Sequence, residues 1–290
     1  MQNLPIREYE PIAPYTTMGV GGEARYFIKA SSSHILQASI LFAREKKIPF
    51  YIFGGGSNII FSDEGYNGLL IYNDIKHFDF TDGMLTVGSG YMINEIILHM
   101  KKTGHIGFEK LFGIPGSIGG AIYQNASAYD VQVSDFFISG TVYDVANNDF
   151  ISWDHALFHF DYRSSELKRQ HGKYILTEAI FAFPKSNYEE FQSSLRFVNE
   201  QRNIRPIGKS CGSFFTNPPA EIAGKLIEGA GLKGYTIGGA QVSPIHANYI
   251  MNIGNAKACD IHNLCATIQA KVKEKYNIIL EPEVRFVDAN

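Results

Sequence analysis

Residues 113–129, GIPGSIGGAIYQNASAY, combine four glycines with small apolar side chains and carry no charge. Glycine loses more backbone entropy on folding than any other residue, so a cluster of this kind needs a reason. A tight interior turn is one reason, and a close approach of backbone N–H groups to an anion such as a phosphate is another. Ser117 is placed to begin a helix after the turn. Composition alone leaves the two interpretations evenly balanced.

A second glycine cluster, GGGSN at 54–58, follows the apolar run Pro49–Phe53, which predicts a short strand. A strand, a glycine turn and two small polar residues are typical of a phosphate-binding loop. No Gly-Lys-Ser/Thr follows, the spacing is not GxGxxG, and no helical pattern comes next. A plain turn remains the alternative. Three adjacent glycines exceed what most turns need, which favours a ligand.

The composition is that of a globular protein without a basic surface. The chain has 290 residues, 45% of them hydrophobic, and a net charge of −3, which suffices for one large or two ordinary domains and excludes a basic nucleic-acid interface. Three cysteines without a CxxC pair predict neither disulfides nor a metal site. The N-terminus is no secretory signal and no apolar run approaches the ~20 residues of a membrane span. We therefore expect a cytoplasmic protein.

The predicted elements follow one another irregularly. Strands and helices alternate without a βαβ rhythm over the first part of the chain, which favours an α+β fold. A polar amphipathic helix at 187–203 indicates a boundary, so we predict one domain over 1–186 and a smaller α+β domain over 187–290. In the second domain we expect a helix from about Ala220, a long helix over Ala258–Tyr276 and a last strand over Ile278–Val287.

Six motifs now resemble one family. They are GGGSN at 54–58, GIPGSIGGAIYQNASAY at 113–129, DYRSS at 161–165, GSFFTNPP at 212–219, GGAQVSPIHANYI at 238–250 and EPEVRF at 281–286. In this order they are similar to the UDP-N-acetylenolpyruvoylglucosamine reductases, flavoenzymes of peptidoglycan precursor synthesis, from about Thr16 to Val287. The resemblance implies a vanillyl-alcohol-oxidase-type FAD-binding domain of two α+β subdomains, split near residue 74. A C-terminal substrate domain follows, of the shorter class that lacks an extra insert, and we expect a monomer.

The family's activity is implied in the same way. NADPH reduces bound FAD, and a hydride then passes to C3 of the enolpyruvyl ether of UDP-N-acetylglucosamine-enolpyruvate. Negative charge develops on C2 and its carboxylate, and a proton must reach C2 to give UDP-N-acetylmuramate. Such a site needs a cation or a neutral acid beside the carboxylate and a proton donor beside C2.

Three residues match the family's catalytic positions. Ser213 in GSFF corresponds to the proton donor, although the residues alone would also allow Ser210 or Cys211, or a plain turn serine. Arg163 of DYRSS would hold the carboxylate, since a guanidinium binds it at two points and stays charged. Glu283 would be protonated, or would orient Arg163 or a water. Glu281 shares its strand face, and alternation cannot separate the two.

The resemblance also assigns ligand contacts. Residues for the FAD diphosphate would be Gly54, Gly55, Gly56, Ser57, Asn58, Ile114, Pro115, Gly116, Ser117, Gly119, Gly120, Ala121 and Ile122. Substrate contacts would be Asn217, Gln241, His246 and Asn248, although His246 is equally interpretable as a structural histidine. Two other functions stay open. One is another flavin oxidase of this fold acting on an alcohol or sugar, and the other is a non-catalytic nucleotide-sugar binding protein.

Overall fold

The computed structural model describes residues 4–289, which divide into two compact units. The first unit holds the described residues up to Arg7 together with Tyr26–Gly55 and Gly68–Asn203. The second holds Glu8–Arg25, Gly56–Asn67 and the chain from Ile204 onward. Within residues 4–289, no helix combines the length and apolarity that crossing a bilayer requires.

Helices and strands alternate along the described chain. The helices are α1 (Ser33–Lys46), α2 (Ile93–Met100), α3 (Ile118–Gln124), α4 (Glu166–Arg169), α5 (Tyr188–Arg202), α6 (Ala223–Gly229) and α7 (Ala258–Tyr276). The strands are β1 (Arg7–Pro11), β2 (Glu23–Ala30), β3 (Phe50–Phe53), β4 (Ile59–Phe61), β5 (Tyr66–Asn73), β6 (Phe78–Thr81), β7 (Met84–Gly88), β8 (Ser127–Ala128), β9 (Val131–Gln132), β10 (Phe137–Asp144), β11 (Asp149–Asp154), β12 (Tyr174–Ala182), β13 (Lys209–Ser210), β14 (Thr236–Ile237), β15 (Ala240–Val242), β16 (Ile250–Asn252) and β17 (Arg285–Val287).

The sheets confirm the predicted α+β class. A five-stranded sheet of order β11-β10-β12-β7-β6 is antiparallel throughout. In the first unit β3 pairs with β5 in parallel, and in the second β4 pairs with β17 in parallel. The second unit also contains an antiparallel sheet of order β13-β16-β15-β14. Mostly antiparallel pairing with segregated helices distinguishes this fold from a doubly wound one.

The first unit contains two hydrophobic cores. In one, Leu36 and Ile40 of α1 pack with Ile28 and Leu69 of the strands. The sequence places α1 locally, because Ser32 accepts a hydrogen bond from the N–H of Ile35 at 3.2 Å and so caps the helix. This core fixes β3, whose last residue directly precedes the GGGSN cluster. The other core lies on the five-stranded sheet and contains the buried faces of α2 and α3.

Helix α5 belongs to the first unit. Its Phe191 is buried in the core of the five-stranded sheet, with Leu195 packed against that core. The helix is therefore held by apolar contacts, although most of its residues are polar. The division between the units therefore falls after Asn203 rather than before the helix. The division of function between a cofactor domain and a substrate domain, with boundaries at 186/187 and near 74, stays a prediction.

The second unit has a single core cluster built around α7. This helix has the predicted bounds, and Asp63 accepts hydrogen bonds from the first-turn N–H groups of Ala258 and Cys259 at 2.7 and 3.0 Å. Two predictions were wrong in their bounds. Helix α6 begins at Ala223, because prolines precede Ala220, whose φ of 61° is left-handed. The last strand is only Arg285–Val287, because Pro282 interrupts the preceding run.

Candidate functional site

The two glycine clusters lie against each other within the first unit. A Cβ atom at Gly54 would lie 2.1 Å from Oγ of Ser117, and one at Gly55 would lie 3.0 Å from Cα of Gly116. Any larger residue at Gly54 would displace Ser117, which caps α3. Gly54 and Gly55 are therefore required by the close approach of their backbone to Gly116 and Ser117, as in a tight interior turn.

Backbone N–H groups at this contact divide into two sets. Those of Ile118 and Gly119 donate to the carbonyl oxygens of Tyr91 and Ser89 at 2.8 and 2.7 Å, and that of Ala121 donates to Ser117. By contrast, the N–H groups of Gly54, Gly55 and Gly116 have no acceptor among residues 4–289. Gly116 is buried, and a buried N–H needs a partner. We call the place lined by Gly54, Gly55 and Gly116 the glycine cradle. Its three N–H donors fit the diphosphate of a dinucleotide.

The remaining predicted cofactor residues of this stretch serve the fold. Ala121 and Ile122 are 5% and 0% exposed and face the core. Gly119 is packed against Ser89, where an added Cβ would meet its carbonyl oxygen at 3.1 Å, whereas Gly120 is exposed on α3. Ile114 is half-buried and Pro115 is exposed, directly before Gly116. Direct contact of these residues with a cofactor stays a prediction.

Two side chains hold the beginning of the glycine stretch. Asn94 of α2 accepts from the N–H of Gly113 at 2.6 Å and donates to the carbonyl of Ile114 at 3.3 Å. Arg202 of α5 donates to the carbonyl oxygen of Gly113 at 2.8 Å, and an added Cβ there would lie 2.9 Å from its Cδ. Sequence analysis missed both residues, since nothing local marks a partner this distant in the chain.

The DYRSS motif contacts the end of the same stretch. Arg163 is half-buried with φ of 52°, in a turn closed by mutual backbone hydrogen bonds of Asp161 and Ser164. Its Nη1 donates to Oγ of Ser127 at 3.0 Å. Lys168 donates to the carbonyl oxygen of Arg163 at 2.8 Å, which steadies the turn. The structure thus brings Arg163 to the end of the glycine stretch, and its role in catalysis stays a prediction.

In the second unit, Gly56 and Asn58 have packing roles. A Cβ at Gly56, whose φ is 59°, would lie 2.0 Å from the carbonyl oxygen of Tyr15, which explains the third glycine. Nδ2 of Asn58 donates to the carbonyl of Glu283 at 3.0 Å, and the carbonyl of Asn58 accepts from Arg285. Ser57 lies half-buried between them. Whether these three residues also contact a cofactor stays a prediction.

Ser213 and Glu283 lie on neighbouring backbones of the second unit. The N–H of Glu283 donates to the carbonyl of Phe214 at 2.8 Å, directly after Ser213. Glu281 is exposed and its carbonyl accepts from Thr216 instead. Glu283 is therefore the carboxyl group whose backbone borders the GSFF motif, a distinction that strand alternation did not provide. Both Ser213 and Glu283 are half-buried.

The rivals of Ser213 are occupied elsewhere. Cys211 is 8% exposed, and burial raises the pKa of its thiol to about 12, so the group stays neutral and inert. Ser210 lies in β13, where its carbonyl accepts a hydrogen bond from Thr17 at 2.7 Å. Ser213 itself is half-buried in the bend that follows Gly212, and its choice over Ser210 as the proton donor stays a prediction.

All four predicted substrate residues have hydrogen-bond partners inside the second unit, and for His246 the partner is the N–H of Asn248, which donates to its Nδ1 at 3.3 Å. Oδ1 of Asn217 accepts from the N–H of Ala223 at 3.0 Å and caps α6. Gln241 donates to Oγ1 of Thr236 at 3.1 Å across β14 and β15. Asn248 is 5% exposed and bonds to the backbone of Phe215. These bonds show structural roles, and substrate contact stays a prediction for each residue.

His246 lies in a cationic surrounding that sequence analysis missed. Burial lowers the pKa of this imidazole, and the positive charges of Arg205 and Lys233 lower it further, partly opposed by Glu228. The ring stacks edge-on against Tyr249 at 4.9 Å, and Arg205 donates to the Tyr249 hydroxyl at 3.5 Å. Lys233 is itself paired with Glu228 at 2.8 Å, so Arg205 and the neutral imidazole are the groups of this unit that suit an anionic ligand.

Comparison with known proteins agrees with both units. A sequence profile described as an FAD binding domain matches residues 24–151, and one described as the C-terminal domain of UDP-N-acetylenolpyruvoylglucosamine reductase matches 203–287. With the glycine cradle, these matches define an FAD-dependent oxidoreductase with an FAD-binding domain of the predicted class. The chain is 38% identical to a UDP-N-acetylenolpyruvoylglucosamine reductase of Caldicellulosiruptor bescii over 96% of its length and 89% of the relative's. It belongs to the UDP-N-acetylenolpyruvoylglucosamine reductase family.

Further relatives cover the chain equally well. A UDP-N-acetylenolpyruvoylglucosamine reductase of Staphylococcus haemolyticus is 34% identical over 97% of this chain and 92% of its own. The crystal structure of UDP-N-acetylenolpyruvylglucosamine reductase from Thermus caldophilus superposes with a TM-score of 0.83 at 29% identity, covering 98% of each chain. The resemblance drawn from six motifs is thereby confirmed over the whole chain.

Proposed function

We propose that this chain uses NADPH to reduce the enolpyruvyl ether of UDP-N-acetylglucosamine-enolpyruvate to UDP-N-acetylmuramate for peptidoglycan synthesis. The relatives are named as reductases of this substrate, and they align with the chain nearly end to end. The observation that carries the proposal is the backbone hydrogen bond of Glu283 to Phe214, which sets the backbone that carries a carboxyl group against the segment that directly follows the serine of GSFF. A hydroxyl and a carboxyl on adjacent backbones suit proton delivery to a developing carbanion.

FAD, when bound, supplies the hydride that NADPH provides. The N–H groups of Gly54, Gly55 and Gly116 would hold its diphosphate, since they have no acceptor among the described residues. No residue of the two glycine clusters is charged, so backbone dipoles would do most of the neutralisation. This explains why the sequence has glycines at these positions, which leave room for the phosphates, instead of lysines.

Ser213 donates the proton to C2 of the substrate. A serine hydroxyl is a weak acid, but C2 of the substrate becomes strongly basic once hydride has been added to C3, so the transfer is downhill. Glu283 acts as a neutral acid or orients the hydroxyl, because an ionised carboxylate next to the developing negative charge would oppose the reaction. Arg163, held by Ser127, offers the permanent positive charge that the substrate carboxylate requires.

The nucleotide part of the substrate carries a diphosphate, which needs cations. Arg205, whose charge acts on His246, is suited to bind it. His246 would add a hydrogen bond as a neutral ring. Asn217 and Gln241 belong to the same unit, and their predicted contact with the substrate would add to their structural bonds.

A monomeric state and a cytoplasmic location complete the proposal. The chain's three cysteines are free thiols, as is usual in a reducing compartment. NADPH and a nucleotide sugar are themselves products of that compartment. Size-exclusion chromatography with light scattering tests the monomer, and a mass near 65 kDa, about twice the 32.3 kDa of one chain, would contradict it.

The function is tested by two half-reactions observed separately. Purified protein is expected to show the absorption bands of oxidised flavin, to bleach anaerobically with NADPH, and to regain colour when UDP-N-acetylglucosamine-enolpyruvate is added. Recovery with oxygen and an alcohol or sugar, but not with the nucleotide sugar, would indicate another flavin oxidase. Calorimetric binding of the nucleotide sugar by a protein that cannot be loaded with FAD would indicate a non-catalytic binding protein.

A further inference from the structure

We propose that Asn248 is a positioning residue, whose side-chain amide sets the backbone that presents Ser213, and that it does not contact the substrate. The inference rests on the proposed function, in which Ser213 delivers the proton. It replaces the substrate contact that the motif GGAQVSPIHANYI suggests for this asparagine. All the contacts that carry it lie within the second unit.

Asn248 bonds to the two residues that directly follow Ser213. Its carbonyl oxygen accepts from the N–H of Phe214 at 2.8 Å. Its side-chain Oδ1 accepts from the N–H of Phe215 at 2.9 Å, and its Nδ2 donates to the carbonyl of Phe215 at 2.8 Å. The side-chain amide therefore bonds to both the N–H and the carbonyl of one residue, as the backbone of a neighbouring strand would. With 5% of the residue exposed, little of that amide is left for a ligand.

The same segment is fixed from its other side by the strand that carries Glu283. The carbonyl of Phe214 accepts from the N–H of Glu283 at 2.8 Å, and the N–H of Thr216 donates to Glu281 at 2.9 Å. Phe214 and Phe215 are 0% and 1% exposed, so both rings anchor the segment in the core. The backbone after Ser213 is thus held between Asn248 and Glu283.

On the other side of Ser213, Gly212 is weakly held, although Cys211 before it is buried in the core. Gly212 has φ of 73°, and a Cβ added there would meet nothing within 4 Å. The hydrogen bond from its N–H to Oγ of Ser210 is 3.5 Å long, at the limit of a useful contact. The direction of the Ser213 side chain therefore depends on the bonds that follow it, and Asn248 makes three of those bonds.

Substitutions at Asn248 separate positioning from substrate contact. Asn248→Asp replaces the Nδ2 donor by an oxygen that faces the carbonyl of Phe215, and Asn248→Ser shortens the side chain. Either change leaves a buried polar group of Phe215 unsatisfied. Displacement of a catalytic group by about 1 Å lowers a rate by about a hundredfold. We expect flavin reduction by NADPH to be unchanged and reoxidation by the enolpyruvyl substrate to slow by about 10- to 100-fold.

Asn252→Asp is the matched control. Asn252 lies in the same unit, and its Nδ2 donates to the carbonyl of Met18 at 2.9 Å while its Oδ1 accepts from the N–H of Gly254 at 3.1 Å. It bonds to similar backbone groups, but to none in the Ser213 segment. This variant is expected to lose thermal stability to a similar degree and to keep the wild-type rate of reoxidation.

The measurements are anaerobic stopped-flow absorbance of the FAD-loaded protein, substrate titration of the oxidised flavin spectrum, and the solvent deuterium isotope effect on reoxidation. A positioning role predicts an affinity for substrate within about threefold of wild type, and a larger isotope effect, because proton delivery becomes limiting. A weakened affinity with a normal limiting rate would assign Asn248 to substrate contact instead and overturn the inference. So would wild-type reoxidation in both Asn248 variants, or a failure of both to load FAD.

The inference and the proposed function fail in different ways. If the wild-type protein, reduced by NADPH, is not reoxidised by the nucleotide sugar, the proposed function fails and Asn248 loses its assigned role with it. If the wild type is reoxidised and the variants follow the Asn252 control, the proposed function stands and the positioning role of Asn248 is overturned.

Discussion

Arg202 donates a hydrogen bond from Nη1 to the carbonyl oxygen of Gly113 at 2.8 Å, joining the last residue of α5 to the first residue of the glycine stretch. The two residues are 89 positions apart in sequence. Helix α5 therefore acts as a support for the proposed FAD cradle, although its polar composition resembles that of a linker. The guanidinium of Arg202, bonded to Gly113, also places a fixed positive charge in the same unit as the glycine amides.

Replacing Arg202 by methionine is expected to lower the free energy of unfolding by about 2 kcal/mol, the usual loss when a hydrogen bond to a charged group is removed. Because the bond fixes Gly113, FAD should also dissociate faster from the folded variant. Thermal melts and the rate of flavin release after dilution measure the two effects. Arg196→Met is the control, since Arg196 is exposed on the same helix. Equal behaviour of the two variants would mean that Arg202 does not support the cradle.

Gly54→Ala is expected to abolish FAD binding at ordinary concentrations, because the added Cβ would lie 2.1 Å from Oγ of Ser117. Removing the side chain that causes the clash should restore part of the FAD binding. In the double variant with Ser117→Gly, the obstructing hydroxymethyl group is removed and some flavin should be recovered. Gly254→Ala is the control, since its Cβ would meet nothing within 4 Å. A double variant no better than Gly54→Ala would indicate that the alanine disturbs the backbone by another route.

Ser213→Ala is expected to retain flavin reduction by NADPH and to lose reoxidation by substrate by at least about a hundredfold, the usual contribution of a general acid. Cys211→Ala is the matched comparison two residues away. Its thiol, with a pKa of about 12, holds no catalytic role, so both half-reactions should keep their rates in that variant. Single-turnover mixing after anaerobic reduction distinguishes the two variants. Loss of reoxidation in Cys211→Ala with retention in Ser213→Ala would reverse the assignment.

Glu109 predicts a pH dependence of stability. This carboxyl is 2% exposed, and burial raises its pKa in the folded protein above the ordinary 4.5. Between 4.5 and the raised value the folded state holds more protons than the unfolded state, so stability falls as the pH rises through that window. Glu109→Gln can still accept the hydrogen bond from Gly107 and is expected to remove this fall.

Urea unfolding between pH 4.5 and 8 measures the contribution of Glu109, as the difference between wild type and Glu109→Gln at each pH. The variant should gain relative to wild type as the pH rises. Glu45→Gln, at an exposed glutamate of α1, controls for the loss of one carboxyl from the protein. A difference between wild type and Glu109→Gln that stays constant with pH would show that the carboxyl of Glu109 ionises in the folded state as it does in water.

Local signals in the sequence were sufficient for the long helices. The cap of α1 and the apolar spacing of α7 come from residues a few positions apart, and α7 has the predicted bounds. The start of α6 was misplaced, because the left-handed Ala220 depends on the path of the chain around it. The class of the site followed from motifs, but the contacts of Arg202, Arg163 and Asn248 join distant segments. Such pairings are set by the packed fold and leave no periodic trace in one sequence.

The pairing of β4 with β17 has a consequence for the order in which this protein can be made. Ile59–Phe61 align with Arg285–Val287, and Met18, Val20 and Ile60 share a core with α7. A ribosome produces the segments with Met18, Val20 and Ile60 long before it produces Arg285–Val287. The core of the second unit therefore cannot be completed until β17 has been synthesised, and until then its earlier segments stay in the nascent chain with apolar side chains uncovered, where chaperones bind.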